Sequence, residues 1–482
     1  MALRIAAIGD SLTQGFMSGA ISKTAQSYPA LIARATGGQV PRDFRVPNFP
    51  GFGLPLNLEE YLRFCEHRLG TDISGKRDWL IRFPSLYQEF ADRVEDLYER
   101  GAGSRPAPFG GVYHNLAIWG FRVFDSFMVD SNVCRAAIND QEGWIQDDFL
   151  GLPSAAMYRT AYRVLNPRQR KNRDDVTQIS AIGDLLDQEG LDVITLALGA
   201  NDCLGTVLSL EVKEMGSRVT KDPIKRTNQY NLTSKKQFQA DYDEMAKRLS
   251  TIIKRHPKSE QPKVFVGTVP KVTIPPITRG IGEYSNGYFD YYSRFFLQED
   301  SFSPKHHSHL TRAQAVMIDQ RIDDFNATIR SVAQKQGWHV VDTSAALCKL
   351  AVRRNNNDRH PRRSLVNYFA HFNITDHPLL NIDPAPSILR LETNEGGKRT
   401  AGGLFSLDCV HPTSCLYGLM AELFLREMAK QGVEGADPQA LNWQEIIAQD
   451  SLLRRAPATW DDIIDAAQAN PWLWDTLFSA MG

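Results

Sequence analysis

Cysteine is scarce in this chain. Its 482 residues include six cysteines, and no two of them form a Cys-x-x-Cys pair. They are Cys65, Cys134, Cys203, Cys348, Cys409 and Cys415. Small secreted domains that depend on disulfides use cysteine much more densely, so this sparse usage is typical of a reducing compartment.

Long apolar runs and an excess of charge of one sign are missing as well. No window of about 18 or more apolar residues occurs, so the sequence predicts no transmembrane helix. The formal net charge is -1, which argues against nucleic acid as the main partner because proteins that bind it usually carry a basic surface. The first residues also lack the charged start and apolar run of a secretory signal. We therefore expect a cytoplasmic protein, unless a leader has been removed.

What the chain does contain is a series of short runs rich in β-branched residues, each followed by sequence of helical character. The runs occupy residues 3–8, 113–118, 192–198, 263–269 and 338–341. Nearly continuous apolar runs are typical of strands buried on both faces, as in a parallel sheet covered by helices. The alternation predicts an α/β fold, in which a site lies at the carboxyl ends of the strands. Ser11 and Asn201 each follow a predicted strand at such a position.

Several stretches between these strands are too long for ordinary loops, and each is predicted to contain helices of its own. They are residues 40–112, 121–190, 203–260, 271–335 and 343–405. Residues 1–435 are interpreted as one domain with these insertions, and residues 436–482 as a small helical appendage.

The appendage holds four of the eight tryptophans, namely Trp443, Trp460, Trp472 and Trp474. Because tryptophans bury a large area and usually do so within their own chain, we expect them to pack on the main domain. The alternative is a surface for self-association or for a partner.

A candidate nucleophile and a candidate base stand far apart in the sequence. A serine nucleophile needs a turn that exposes it, a base within hydrogen-bond reach and a donor for the developing oxyanion. Ser11 follows Asp10 at the end of the first predicted strand. His411 would be the base, and Asp408, three residues before it, could hold one ring nitrogen while the other faces Ser11. Alone, such a serine is often a helix cap and such a pair is often incidental, but their occurrence together favours a catalytic site.

Donors for the oxyanion can be named from two further blocks. Asn201 stands in the block Gly-Ala-Asn-Asp at a strand end, where its side-chain amide could donate. Gly120 could supply a backbone N–H and would let a substrate approach closely because it has no side chain. The N–H of Ser11 is the third candidate. Turn formation is the structural alternative for Asn201, and it is the role we expect for Asp202.

Four short blocks, taken in their order along the chain, resemble the GDSL or SGNH hydrolase family. They are residues 9–12 (Gly-Asp-Ser-Leu), 115–120 (Asn-Leu-Ala-Ile-Trp-Gly), 199–202 (Gly-Ala-Asn-Asp) and 408–411 (Asp-Cys-Val-His). The resemblance implies a three-layer α/β/α sandwich, flavodoxin-like, with a five-stranded parallel sheet. It also implies ester hydrolysis without metal or cofactor, with a triad of Ser11, Asp408 and His411 and an oxyanion hole of Ser11, Gly120 and Asn201. At Cys409 a glycine or a small polar residue would be expected instead.

An aromatic run and a group of histidines are two further features that bear on function. An aromatic run over residues 288–296 follows the fourth predicted strand on the catalytic side, so Phe295 and Phe296 are candidate acyl-binding residues in a lid or wall. Ordinary helix packing of the insertion onto the domain is the alternative, and both remain open. His306, His307 and His309 could suggest a metal site, but no cysteine or carboxylate stands at ligand spacing, and a polar loop is the favoured interpretation.

Together these observations predict a serine hydrolase that cleaves carboxylic esters through an acyl-serine intermediate. The aromatic run favours a lipid or other long-chain acyl ester. An acetylated sugar and an acyl thioester stay open as substrates. A protein of another class, a non-catalytic binding or scaffold protein on the same fold, is the further alternative.

Overall fold

The central sheet in the described part of the chain has four parallel strands. The computed structural model describes residues 2–70, 82–141, 151–351, 361–394 and 396–469. Its strands are β1 (Ile5–Gly9), β2 (Phe16–Met17), β3 (Ala20–Ile21), β4 (Leu54–Pro55), β5 (Val193–Ala197), β6 (Lys263–Gly267), β7 (Thr278–Ile281), β8 (Tyr291–Arg294), β9 (Leu310–Thr311), β10 (His339–Val341), β11 (Glu392–Thr393) and β12 (Arg399–Ala401). The central sheet has the order β1-β5-β6-β10, and all three pairings are parallel. Each of these four strands arises from a predicted apolar run, so the α/β fold class is confirmed.

Helices occupy the connections. They are α1 (Ser11–Gln14), α2 (Tyr28–Ala35), α3 (Leu58–Leu69), α4 (Phe83–Glu95), α5 (Asp125–Met128), α6 (Ser131–Gln141), α7 (Ala156–Leu165), α8 (Ala181–Glu189), α9 (Gly205–Ser209), α10 (Pro223–Thr227), α11 (Lys235–Ile253), α12 (Arg312–Gln336), α13 (Thr343–Leu350), α14 (Pro361–Ala370), α15 (Ser414–Lys430), α16 (Trp443–Gln449), α17 (Ser451–Arg454) and α18 (Trp460–Ala469). Among the described residues, no helix combines the length and apolar character that crossing a membrane requires.

The sheet separates two hydrophobic cores, because successive side chains of a strand point to opposite faces. In β1, Ala6 and Ile8 belong to a core that includes residues of α8, α11 and α12. Ile5 and Ala7 belong to the other core, which includes residues of α2 and α15. Both faces of the strands are therefore buried, which accounts for runs that are apolar throughout rather than alternating.

The predicted second strand, residues 113–118, is not a regular strand. It runs parallel to β1, where the N–H groups of Leu116 and Ile118 donate to the carbonyls of Ala7 and Gly9, but the one bridge formed is between Ala7 and Asn115. On the outer side the N–H of Asn115 donates to the carbonyl of Arg45, and the N–H of Ala117 donates to Asn115 Oδ1. The segment is therefore an irregular edge of the sheet. The sheet therefore has four regular strands where five were predicted.

The insertions contain helices as predicted. The aromatic segment within residues 271–335 differs from the prediction in its secondary structure. Its alternative interpretation was helix packing, whereas β7, β8 and β9 form an antiparallel sheet of three strands there. In the run Tyr291–Arg294, alternate side chains take opposite faces, and a β-rich composition of this kind is typical of strands. The aromatic content was the available signal for a strand.

The two appendage tryptophans that the structure describes are buried in the domain. Trp443 packs against α15, where a Cβ added at Gly418 would lie 2.7 Å from its ring. Trp460 donates from its indole N–H to the carbonyl of Leu391 at 2.9 Å. Trp472 and Trp474 lie outside the described residues.

Candidate active site

Ser11 lies at a tight turn between β1 and α1. The turn is tight because Gly9 has no side chain, and an added Cβ would come within 2.0 Å of Thr13 Oγ1. Asp10 caps α1 by accepting a hydrogen bond from the N–H of Leu12 at 3.0 Å. The strand end and the cap together fix Ser11 at the carboxyl edge of the sheet.

Asp408 holds the imidazole of His411 with several hydrogen bonds. Asp408 Oδ2 lies 3.0 Å from His411 Nδ1 and also accepts the N–H of Gly19 at 2.7 Å. Asp408 Oδ1 accepts the backbone N–H groups of Val410 and His411, at 2.9 and 2.8 Å. A carboxylate held this way fixes both the orientation of the ring and the tautomer with hydrogen on Nδ1, which leaves Nε2 as the base.

The surroundings of Asp408 favour its ionised form. Burial by itself would raise its pKa, but the charge of His411 and the hydrogen bonds from His411 and Val410 outweigh burial and lower the pKa below its ordinary value. The ring of His411 also packs against the ring of Phe16, with centroids 4.5 Å apart. A buried anion beside the imidazole stabilises the imidazolium that forms when His411 takes a proton.

Ser11 and His411 line the same cavity. Among the described residues, no hydrogen bond joins their side chains. Catalytic hydrogen bonds are often long in structures without substrate and tighten when it binds. The helix that follows His411 is joined to the segment that contains Ser11, since the hydroxyl of Tyr417 in α15 donates to the carbonyls of Phe16 at 2.7 Å and Ser11 at 3.5 Å.

The two predicted oxyanion residues Gly120 and Asn201 are brought together by one hydrogen bond. Asn201 Nδ2 donates to the carbonyl of Phe121, the residue after Gly120, at 3.0 Å. The turn around Gly120 is also bonded to α1, because Gln14 Oε1 accepts the N–H of Trp119 at 2.9 Å. Gly120 has a φ of 79°, a left-handed conformation that glycine adopts without strain.

Donors remain for an oxyanion. An amide NH₂ has two hydrogens, so Asn201 keeps one after its bond to Phe121. No acceptor among the described residues takes the N–H of Ser11. Asp202 is structural, but not through the local turn that was expected: Oδ2 accepts the N–H of Val123 at 3.1 Å and Oδ1 accepts the Thr233 hydroxyl at 2.6 Å, both from distant segments.

Sequence reasoning missed the residues that support this site. Gly19 and Gln14 contribute through a backbone N–H and a side-chain oxygen to partners 389 and 105 residues away. Gln14 stands two residues after the first block, so its position was a usable signal. Nothing in the sequence marked Gly19, because a backbone donor has no residue signature.

The candidate acyl-binding residues Phe295 and Phe296 lie elsewhere. Their rings contact each other, with centroids 5.3 Å apart, and Phe295 also stacks on Trp460. Both are buried, with exposures of 6% and 1%. Within the described residues, neither is part of the cavity wall at Ser11.

The histidines at 306–309 make local contacts. His307 Nδ1 accepts the N–H of Ser303 at 3.0 Å, and His309 Nδ1 lies 2.9 Å from the carbonyl oxygen of His307. No cluster of three or more His, Cys, Asp or Glu side chains suited to a metal ion occurs in the part of the chain that the structure describes.

The two cysteines beside the site are buried thiols. Cys203 and Cys409 are 0% and 1% exposed, and burial raises the pKa of each thiol. Thiols held protonated in this way are poor nucleophiles. Cys409 has a φ of 60°, which explains why a glycine or small polar residue would be expected at this position.

Asp10 gives the site a testable pH dependence. Burial raises the pKa of its carboxyl to about 7, against the lowering effects of the Leu12 hydrogen bond and the His411 charge. The folded state thus binds a proton more tightly than the unfolded state, where the pKa is 3.8. The contribution of Asp10 to stability is fully present below pH 3.8 and is lost as the pH rises to about 7.

We expect Asp10→Asn to remove this loss of stability with rising pH, because an amide does not ionise. The amide oxygen can still accept the Leu12 N–H, so the helix cap is kept. Its free energy of unfolding relative to wild type should rise by about 2–3 kcal/mol between pH 5 and pH 8. Urea unfolding at both pH values measures the difference. Asp243→Asn, at an exposed position of α11, is the control and should follow wild type. A constant offset between Asp10→Asn and wild type would contradict the assignment.

Comparisons with known proteins found one weak structural similarity. No family model and no curated protein matches the chain. Among solved structures, the chain is similar to an extracellular lipase from Streptomyces rimosus, with 13% identity and a TM-score of 0.30 over 72% of this chain and 83% of the lipase chain. A TM-score of this size does not establish a shared fold, so function has to be argued from the site.

Proposed function

We propose that this protein is a serine hydrolase that cleaves carboxylic esters through an acyl-serine intermediate. The observation that carries the proposal is the buried Asp408–His411 pair, with 3.0 Å between Oδ2 and Nδ1, on the same cavity as Ser11. The four motif blocks, distant in sequence, meet at one edge of the sheet. Helices on both faces of the sheet also support the three-layer arrangement of the GDSL or SGNH resemblance.

In the proposed mechanism, His411 Nε2 takes the proton of the Ser11 hydroxyl as Oγ attacks the ester carbonyl carbon. The tetrahedral intermediate carries its charge on the former carbonyl oxygen, which the N–H groups of Ser11, Gly120 and Asn201 stabilise. His411 then protonates the departing alkoxide, so the alcohol leaves and the acyl group stays on Ser11. Water, deprotonated by His411, attacks the acyl-serine, and the acid is released as Ser11 recovers its proton.

The test is hydrolysis of p-nitrophenyl acetate, butyrate, octanoate and palmitate by the purified protein at pH 8. Ser11→Ala, prepared in parallel, accounts for any contaminating esterase. Turnover by wild type that is absent from the variant supports the proposal. Folded wild type without activity on any of these esters would contradict it and would favour the non-catalytic binding protein.

The oxyanion role of Asn201 has its own test. Asn201→Ala is expected to lower kcat roughly 10²- to 10³-fold with little change in KM, because its donor acts on charge that develops only in the transition state. Asn231→Ala is the matched control. It also loses two amide hydrogen bonds, to Ser209 Oγ and the Glu211 carbonyl, but lies outside the site. Equal losses of kcat in the two variants would show that Asn201 acts only through stability.

A further inference from the structure

The wall of the cavity at Ser11 is mostly apolar. Besides Asp10, Ser11 and His411, it is lined mainly by apolar side chains of the strand ends, of the chain after β6, and of α13 and α15. The lining includes Leu198, Leu204, Val269, Val272, Ala346, Leu347, Leu350, Tyr368, Phe405, Leu416, Leu419, Met420 and Leu423. Apolar surface that is concave and opens at a catalytic pair is suited to an apolar part of the substrate.

Three polar groups in the lining are already engaged. Lys271 Nζ lies 3.3 Å from an oxygen of Asp323. Thr268 Oγ1 donates to Asp342 Oδ1 at 3.0 Å, and Asp10 accepts the Leu12 N–H. A polar or charged substrate group in this cavity would lose hydrogen bonds to water without replacement, which is costly.

The cavity extends from the catalytic pair into the core. Leu350, Tyr368 and Phe405 in its wall are 2%, 3% and 3% exposed and belong to the core on the α2 and α15 face of the sheet. The alcohol of an ester must leave while the acyl group is still bonded to Ser11. A cavity that leads inward suits the group that stays, rather than the one that departs first.

The cavity volume is about 110 Å³. A packed methylene takes roughly the space of a molecule of liquid water, about 30 Å³, so the cavity has room for an apolar chain of about four carbons.

We infer that this cavity is the acyl site and that the substrates are esters of acids with an apolar acyl chain longer than acetyl. The inference rests on the proposed function and adds its substrate class. It replaces the aromatic run as the acyl-binding region, since Phe295 and Phe296 lie outside the described wall. α13 and α15 set the chain length, and Ala346 is the small residue at which the site can be narrowed.

The test compares Ala346→Phe with Ala345→Phe. Both residues are partly exposed and adjacent in α13, but only Ala346 lines the cavity. Wild type should hydrolyse p-nitrophenyl butyrate and octanoate better than the acetate, and Ala346→Phe should lower the octanoate-to-acetate ratio of kcat/KM at least tenfold. Ala345→Phe should keep the wild-type ratio. Leu423→Ala, which enlarges the same site, should move the optimum to longer chains and tests the site if Ala346→Phe does not fold.

Two outcomes would overturn the inference. One is a ratio that is the same in Ala346→Phe and Ala345→Phe. The other is a change in kcat/KM that Ala346→Phe causes only for a second series of substrates, the acetate esters of octanol and decanol. That result would place the alcohol group, rather than the acyl group, in the cavity.

Direct binding separates the inference from the proposed function. Decanoate binding to Ser11→Ala, measured by calorimetry, should weaken at least tenfold when Ala346→Phe is added. If wild type hydrolyses no ester but decanoate binds in this way, the proposed function fails and the apolar-chain site stands. If esters are hydrolysed but neither the ratio nor decanoate binding responds, the acyl site fails and the proposed function stands.

Discussion

Replacing Ser11 with alanine is expected to lower kcat for ester hydrolysis roughly 10⁴- to 10⁶-fold. The substitution removes the atom that forms the acyl intermediate in the proposed mechanism, and among the described residues that line the cavity with His411 no cysteine or second serine is present. Activity that remains would come from water activated by His411 at an intact oxyanion hole. Steady-state kinetics on a short and a medium-chain ester give the change.

The Ser11 variant should remain folded. Ser11 is 5% exposed, and the hydrogen bonds recorded for it use its backbone carbonyl, which accepts the N–H of Gly15 at 3.2 Å and the hydroxyl of Tyr417 at 3.5 Å. Alanine keeps that carbonyl and is a good helix former in α1. A loss of less than tenfold in kcat, with wild-type thermal stability, would exclude Ser11 as the nucleophile.

Asp408→Asn is expected to lower kcat about 10⁴-fold with a much smaller effect on KM. One amide oxygen can replace Oδ1 and accept the N–H groups of Val410 and His411. The NH₂ group then takes the place of Oδ2, where it meets the N–H of Gly19 and His411 Nδ1. Because Nδ1 must become an acceptor in that arrangement, the hydrogen moves to Nε2, and the nitrogen that faces Ser11 can no longer act as base.

The control for this prediction is Asp437→Asn. Asp437 is exposed and also caps a short helical turn, through a 2.8 Å hydrogen bond from the N–H of Gln439. It should leave kcat unchanged. A pH–rate profile adds a readout that structural damage would not reproduce, since loss of the buried carboxylate changes the protonation behaviour of the base. A fall in kcat of less than tenfold for Asp408→Asn would argue against a triad.

The sheet could be predicted from the sequence because its strands are buried on both faces. Continuous apolar runs then mark them directly, as in residues 192–198 and 263–269, which contain β5 and β6. The segment at 113–118 pairs with β1 but is irregular. On its outer side, the N–H of Ala117 donates to the side chain of Asn115 instead of to a further strand, which apolar periodicity does not record.

The site could be predicted as far as its chemistry depends on residue type. Ser11 and His411 could be named as candidates because few side chains can serve as nucleophile and base, and the structure places both on one cavity. The contact from Gly19 to Asp408 was not predictable, because it uses backbone across 389 residues. The acyl cavity was missed because leucines on α13 and α15 have the same periodicity whether they pack on a neighbour or line a cavity.

Covalent labelling with a fluorophosphonate probe, followed by peptide mass spectrometry, tests the central claim most directly. An activated serine reacts with the phosphorus centre without need for the natural substrate. We expect one adduct on the peptide that carries Ser11, its loss in Ser11→Ala and a strong slowing of labelling in Asp408→Asn. Folded wild-type protein that forms no adduct at Ser11, or forms it equally fast in Asp408→Asn, would contradict a serine nucleophile activated by His411 and Asp408.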